Sequence, residues 1–169
     1  MQLRYSVSML KWDSEGQESC SVARVLEIIG ERWTWLIIRD AFLGLTKFDE
    51  FQESLGIARN VLTDRLNRLV DEGIFERVLY NERPARYEYR LTEKGSDLFT
   101  ALNALRQWGD QYLSVKPMRL LRRKSDNRPV VAALVPEGAP VLAAHEIELV
   151  PGPGFPRHAH RLYPLGPEA

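Results

Sequence analysis

The apolar residues of this chain keep two different periods, and the change falls near position 74. Before it, they recur every three or four residues, the spacing of one helix face. In "VARVLEIIG", Val22, Val25, Leu26 and Ile29 share such a face and Gly30 closes the segment. "RWTWLIIRDAFLG" repeats the pattern with Trp33, Leu36, Ile37 and Leu43, ending at Gly44. "TKFDEFQESLG" opens on Thr46, a residue suited to an N-cap, and lines up Phe48, Phe51 and Leu55 before Gly56. The fourth segment, 58–72, sets Leu62, Leu66, Leu69 and Val70 inward and stops at Gly73. After it, "IFERVLY" and "RYEYRL" alternate with period two, so Tyr87, Tyr89 and Leu91 face one way and Glu88 and Arg90 the other. The five residues "NERPA" between them are turn chemistry and predict a hairpin over 74–91. Thr92 is expected to cap a long amphipathic helix with a stripe of Leu98, Leu102, Leu105, Trp108 and Tyr112. The first 19 residues are mixed and polar, and are read as an arm. Beyond Lys116-Pro117, "PVVAALVPEGAPVLAAHEIELVPGPG" predicts two or three short strands about a "PEGAP" turn, with an irregular end from Pro151.

Four helices, a hairpin and a further helix, with a tight turn at Gly56 between the third and fourth, is the order of a winged helix-turn-helix. The expected fold class is α+β: a mainly helical winged domain over 20–115, an arm over 1–19, and a small β-rich C-terminal extension over 116–169. In that architecture the second helix of the motif meets base edges and the hairpin meets the flanking backbone. A wheel of 58–72 turns Asn60, Asp64 and Asn67 outward, with Arg59 and Thr63 on one flank and Arg68 on the other. Arginine matches guanine, asparagine matches adenine, and threonine reaches a base or a thymine methyl. Arg59, Asn60, Thr63 and Arg68 are therefore assigned to DNA, together with Thr46 and Lys47 at the preceding helix start and Arg83 and Arg86 at the hairpin tip. The competing reading is a solvated helix face on which Arg68 pairs with Asp64 or Asp71. Arg65, near the inner edge, reaches a phosphate or lies over the core.

Charge changes the picture only locally. The chain has a formal net charge of zero, so bulk charge does not announce a nucleic-acid partner. The balance runs from net −3 over 1–57 to +1 over 58–90, −1 over 91–115 and +3 over 116–169. Geometry must supply what total charge does not. At 169 residues a chain buries roughly 70% of its unfolded surface, enough for a core without staples. No apolar run approaches the ~18 residues of a membrane span, and the start lacks the apolar core of a signal peptide. One cysteine, Cys20, excludes an internal disulfide and fits a reducing compartment. A cytoplasmic protein is expected.

Three stretches then carry a family likeness. "CSVARVLEIIGERWTWLIIRDAFLG", "KFDEFQESLGIARNVLTDRLNRLVDEGIFER" and "YNERPARYEYRLTEKG" together resemble the HxlR-type winged helix-turn-helix transcriptional regulators, over about Cys20 to Trp108. The shared features are the leading cysteine, the Ile-Gly before Arg32-Trp33, the Lys47-Phe48 step, the Gly-Ile turn and the Tyr-Leu-Thr-Glu-Lys-Gly run. The resemblance implies a bacterial or archaeal regulator. It further implies a homodimer built on the first and last helices, binding double-stranded DNA at a roughly palindromic operator. Some relatives carry a cysteine-bearing, zinc-ribbon-like extension; here that region has no cysteine, so no metal is expected. Some sense oxidants through an N-terminal cysteine, and Cys20 stands in the matching place, which leaves an oxidant or small-molecule effector open beside a plain structural role.

Other chemistry is thin. His158 and His160 in "RHAHR" supply two ligands where zinc wants three or four. "PGPG" opens no helix and is no phosphate loop, and Cys20 has no evident base partner. No catalytic residue or cofactor is expected. A winged module that binds protein rather than DNA is the alternative reading.

Overall fold

The computed structural model describes residues 20–113 and 116–155. The expected arm and the His158–His160 pair lie outside the described residues. Helices α1 (Ser21–Ile29), α2 (Arg32–Phe42), α3 (Phe48–Leu55) and α4 (Arg59–Asp71) follow one another, and a two-stranded antiparallel wing comes next, β1 (Phe75–Glu82) and β2 (Ala85–Leu91). Two helices, α5 (Glu93–Ser96) and α6 (Leu98–Tyr112), precede a second antiparallel pair, β3 (Arg119–Arg123) and β4 (Ile147–Pro151).

One core holds the helices and the wing together. Ile37 and Ile38 of α2, Phe51 of α3, and Leu62, Leu66 and Leu69 of α4 are essentially inaccessible, and Phe75 of β1 joins them. Each such side chain stabilises the fold by about 1.5–3 kcal/mol relative to exposure. The Phe51 and Phe75 rings stack at 6.3 Å, tying the helix-turn-helix to the wing. The turn between α3 and α4 requires Gly56, whose φ of 60° lies in the left-handed region.

Several expectations are corrected. Thr46 is not the N-cap of α3; Lys47 is. Thr46 instead gives its carbonyl to the Tyr89 amide at 2.7 Å, and Lys47 forms a single isolated bridge to Glu88 of β2. Thr92 caps α5 through Gly95 N–H at 3.1 Å, and the chain turns at Asp97 before α6 begins. The turn of the wing is two residues, Arg83-Pro84, with a cis peptide, and not five. In the extension, 129–142 forms no strand beyond a single bridge of Pro129 to Arg122, although the turn at Pro136–Ala139 is present. The prolines at 129, 136 and 140 offer no amide to a ladder. The strand that does form beside β4 is the charged "RLLRR" of β3, a segment without an alternating apolar pattern.

Candidate nucleic-acid interface

The position of α4 is fixed at its C-terminal end and along its length. At its C-terminus the "LTEKG" run works as a clip. The Thr92 hydroxyl donates to the Gly73 carbonyl at 2.7 Å, and the Lys94 ammonium donates to the Glu72 carbonyl at 2.6 Å. A cation there also favours the negative end of the helix dipole. Gly95 is buried against the Ile74 carbonyl oxygen, into which a Cβ would run. Along its inner side, Arg65 makes an ion pair with Glu31 and Arg68 donates to the Glu27 carbonyl on α1. Arg68 donates to α1 and not to Asp64 or Asp71, and Arg65 is largely buried with its guanidinium in the Glu31 ion pair.

The α3–α2 joint is equally built. Asp40, wholly inaccessible on α2, accepts from the Ser54 hydroxyl of α3 at 2.6 Å and from the neighbouring Arg39 guanidinium at 2.7–2.8 Å. A buried carboxylate needs such partners. The sequence reading missed it, although its signal was there: Asp40 sits three and four residues after Ile37 and Leu36, on the buried stripe.

Outward on α4 are Asn60, Thr63, Asp64, Asn67, Arg68 and Asp71, with Arg59 at its first turn. Thr63 returns its hydroxyl to the Arg59 carbonyl at 2.9 Å. Arg59 lies over the Phe48 ring at 4.7 Å and 3.8 Å from the Asp49 carboxylate, both at the start of α3. Beside it Lys47 is half exposed, 3.7 Å from Glu50 and 5.6 Å from the Tyr80 ring of the wing. The Glu50 carboxylate accepts from the Thr46 and Lys47 amides at 2.9 Å each. Burial pushes its pKa up, but those two bonds and the Lys47 charge outweigh it and hold the pKa below the ordinary value.

On the wing, Arg83 and Arg86 are exposed and have no ion pair among the described residues. Asn81 braces their turn by donating to the Pro84 carbonyl at 2.8 Å. Arg77 stacks on Tyr87 at 3.6 Å, and Arg90 pairs with Glu88 down the strand. Cys20 is exposed at the N-cap position of α1. The expected apolar stripe of α6 divides. Leu98 packs on the chain's own core and Leu102 and Leu105 line a cavity, while Leu105, Trp108 and Tyr112 are more than half exposed. No group of metal-ligating side chains occurs among the described residues, and no helix there is long and apolar enough to cross a membrane.

A helix-turn-helix with its second helix turned outward and a basic-tipped hairpin beside it defines a winged helix-turn-helix protein, the architecture of DNA-binding transcriptional regulators. Residues 28–117 match the model of the HxlR-like helix-turn-helix family, and the chain belongs to that family. It is 42% identical over 153 residues to the uncharacterized HTH-type transcriptional regulator Mb3122 of Mycobacterium bovis, covering 89% of this chain and 95% of the relative. That length takes in the C-terminal extension. Among solved structures it is similar to the transcription factor PA1607, with 48% identity, a TM-score of 0.64 and coverage of 74% of this chain and 89% of the other. It is also similar to the reduced form of the redox regulator HypR, with 31% identity, a TM-score of 0.51 and coverage of 53% and 90%. These are regulators of transcription, not enzymes.

Proposed function

We propose that this protein is a homodimeric, sequence-specific regulator that inserts α4 into the major groove and lays its wing on the flanking phosphates. The observation carrying the reading is the outward face of α4. Its polar side chains sit on a helix clipped at its C-terminus, in a domain that also exposes Lys47, Arg83 and Arg86. Arg59 and Asn60 read bases from the first turn, and Thr63 assists. Releasing Arg59 from the exposed Asp49 costs little, because a solvated pair at 3.8 Å is worth about 0–1 kcal/mol. Two copies related by a two-fold axis would meet a roughly palindromic operator.

The test is fluorescence anisotropy with DNA from upstream of the protein's own gene, against scrambled DNA of equal length. Binding of the upstream fragment should be tighter by about three orders of magnitude at moderate salt. Equal binding of both would leave a non-specific or protein-binding winged module. No binding at low salt would sink the reading.

A thiol response belongs to the same proposal, favoured by the exposure of Cys20 and by the likeness to a redox regulator. With one cysteine per chain, oxidation by diamide would have to join two subunits. A non-reducing gel showing no Cys20-dependent dimer band would remove it.

A further inference from the structure

Between α2, α6 and the β3–β4 pair lies a cavity of about 320 Å³. Its walls are mostly apolar: Trp35 and Phe42 come from α2, Leu102 from α6, and Met118, Leu149 and Phe155 from the extension. The "PGPGF" run builds the last of these walls. The Gly152 amide donates to the Met118 carbonyl at 2.8 Å and the Gly154 amide to the Pro117 carbonyl at 3.0 Å. A Cβ on Gly152 would stand 2.3 Å from the Pro117 oxygen, and one on Gly154 would stand 2.4 Å from the Lys116 oxygen. Only glycine lets the chain lie so flat against 116–118. That close approach brings Phe155 to the cavity, where Arg119 lies over its ring at 4.5 Å.

The polar side chains of the lining are engaged with the protein itself. Asn103 donates to the Phe99 carbonyl at 2.8 Å and accepts from Arg106 at 3.2 Å. Arg106 also donates to the Asp110 carboxylate at 2.6 Å and to the Arg119 carbonyl at 2.9 Å. Arg39 bonds Asp40 at 2.8 Å, and neither Arg39 nor Arg119 is without a partner. A charged ligand would give up its hydration here without meeting a spare counter-charge. A neutral apolar ligand has no such loss and removes apolar wall from water.

Size and shape narrow the ligand further. A chamber of roughly 150 Å³ lined by leucine, isoleucine and phenylalanine holds one benzene ring, so about twice that volume holds two fused rings. Flat rings suit walls that include Trp35, Phe42 and Phe155, against which they stack or pack edge to face. We infer that this cavity is a binding site for a neutral bicyclic aromatic molecule, held between the winged domain and the C-terminal extension. The site stands apart from the DNA reading, since none of its lining residues belongs to α4 or the wing.

The experiment uses the full chain with neutral 2-naphthol as probe, and with 2-naphthoate and phenol as controls. Binding is followed by calorimetry and by the indole N–H resonance of Trp35 in magnetic resonance spectra. Naphthol should saturate at one per chain and move that resonance. Naphthoate carries the same rings with a charge and should bind at least about tenfold more weakly. Phenol covers about half the apolar area and should also fall at least about tenfold. Met118→Trp fills the cavity from its half-exposed rim and should weaken naphthol at least about tenfold. Leu149→Phe serves the same purpose if the first variant loses its wild-type circular dichroism. Trp108→Glu, outside the lining, should leave naphthol affinity within about twofold. No saturation below about 1 mM, naphthoate or phenol as tight as naphthol, or unchanged binding by a folded filled variant would each overturn the site. Loss of binding in Trp108→Glu would overturn it as well, by moving the probe to the exposed aromatic pair or to a subunit contact.

Discussion

At the scale of single residues, charges near the DNA-facing surface divide into those already satisfied and those held loosely. Arg65, Arg68 and Arg90 each have a partner within the chain, whereas Arg83 and Arg86 at the wing tip have no ion pair among the described residues. The proposed interface predicts different behaviour for the two kinds of contact. Arg83→Ala should weaken all DNA sequences alike and flatten the slope of log K against log salt by about 0.9 per lost phosphate contact. Arg59→Ala should cost about 1–3 kcal/mol and relax preference at one base position. Anisotropy over a salt series, on upstream and point-substituted fragments, separates the two. An unchanged slope for Arg83→Ala would remove the wing from the interface. Glu50 gives a prediction of another sort. Its folded pKa is lowered, so its stabilisation is present above the ordinary carboxylate range and is lost as pH falls through the folded pKa. Glu50→Gln should cost about 0.5–1 kcal/mol near neutral pH, at the low end for a helix cap because the side chain is 42% exposed. Urea midpoints from pH 7 downward should converge with those of the wild type in acid, and curves that stay parallel would contradict it.

At the scale of elements, the "LTEKG" run shows how a motif can be legible in one sense and opaque in another. The sequence marks a helix start at Thr92, since threonine followed by an acidic first turn is a capping pattern. It does not reveal that the same hydroxyl and the Lys94 ammonium hold the end of α4, because those bonds join residues about twenty positions apart. Gly95 is the sharpest case. Its helix approaches the Ile74 carbonyl so closely that any side chain collides with backbone. Gly95→Ala gains helix propensity yet should destabilise by about 1–3 kcal/mol, since no rotamer change relieves a backbone clash. It should also weaken DNA binding by loosening α4. Denaturant unfolding checks the first and anisotropy the second; a more stable Gly95→Ala protein would refute the clip. Elsewhere, α2 to α4 and the wing were readable because each buries one face and the period records it, whereas the α1 stripe of Val22, Val25 and Leu26 is exposed. The extension was not, because 129–142 runs exposed, with Leu134 fully so, and an exposed segment leaves no burial pattern to read. Asp40 was overlooked for the opposite reason: it breaks the apolar pattern while occupying a buried position of it.

At the scale of the whole molecule, the chain leaves apolar surface that its own core does not use. Val22, Val25 and Leu26 of α1 are 45–67% exposed, and Leu105, Trp108 and Tyr112 of α6 are 53–63% exposed. The Trp108 and Tyr112 rings lie 5.3 Å apart, a paired aromatic surface facing solvent. Single exposed hydrophobic residues are ordinary, but rows of them on the first and last helices of a winged domain call for a cover. A second copy supplies that cover in the proposed dimer, and aromatic residues are the ones that dominate such contacts. Trp108→Glu places a charge in the contact and disturbs nothing buried within the subunit. It should shift sedimentation at micromolar concentration from dimer to monomer, with the circular dichroism of the fold retained. Operator affinity should fall by about a hundredfold or more, because a monomer loses the second half-site and its effective concentration. Binding to a single half-site should change little, since α4 and the wing lie on other elements. A Trp108→Glu protein that stays dimeric would move the interface away from α6, whereas a monomeric wild type would remove the dimer and with it the two-fold operator.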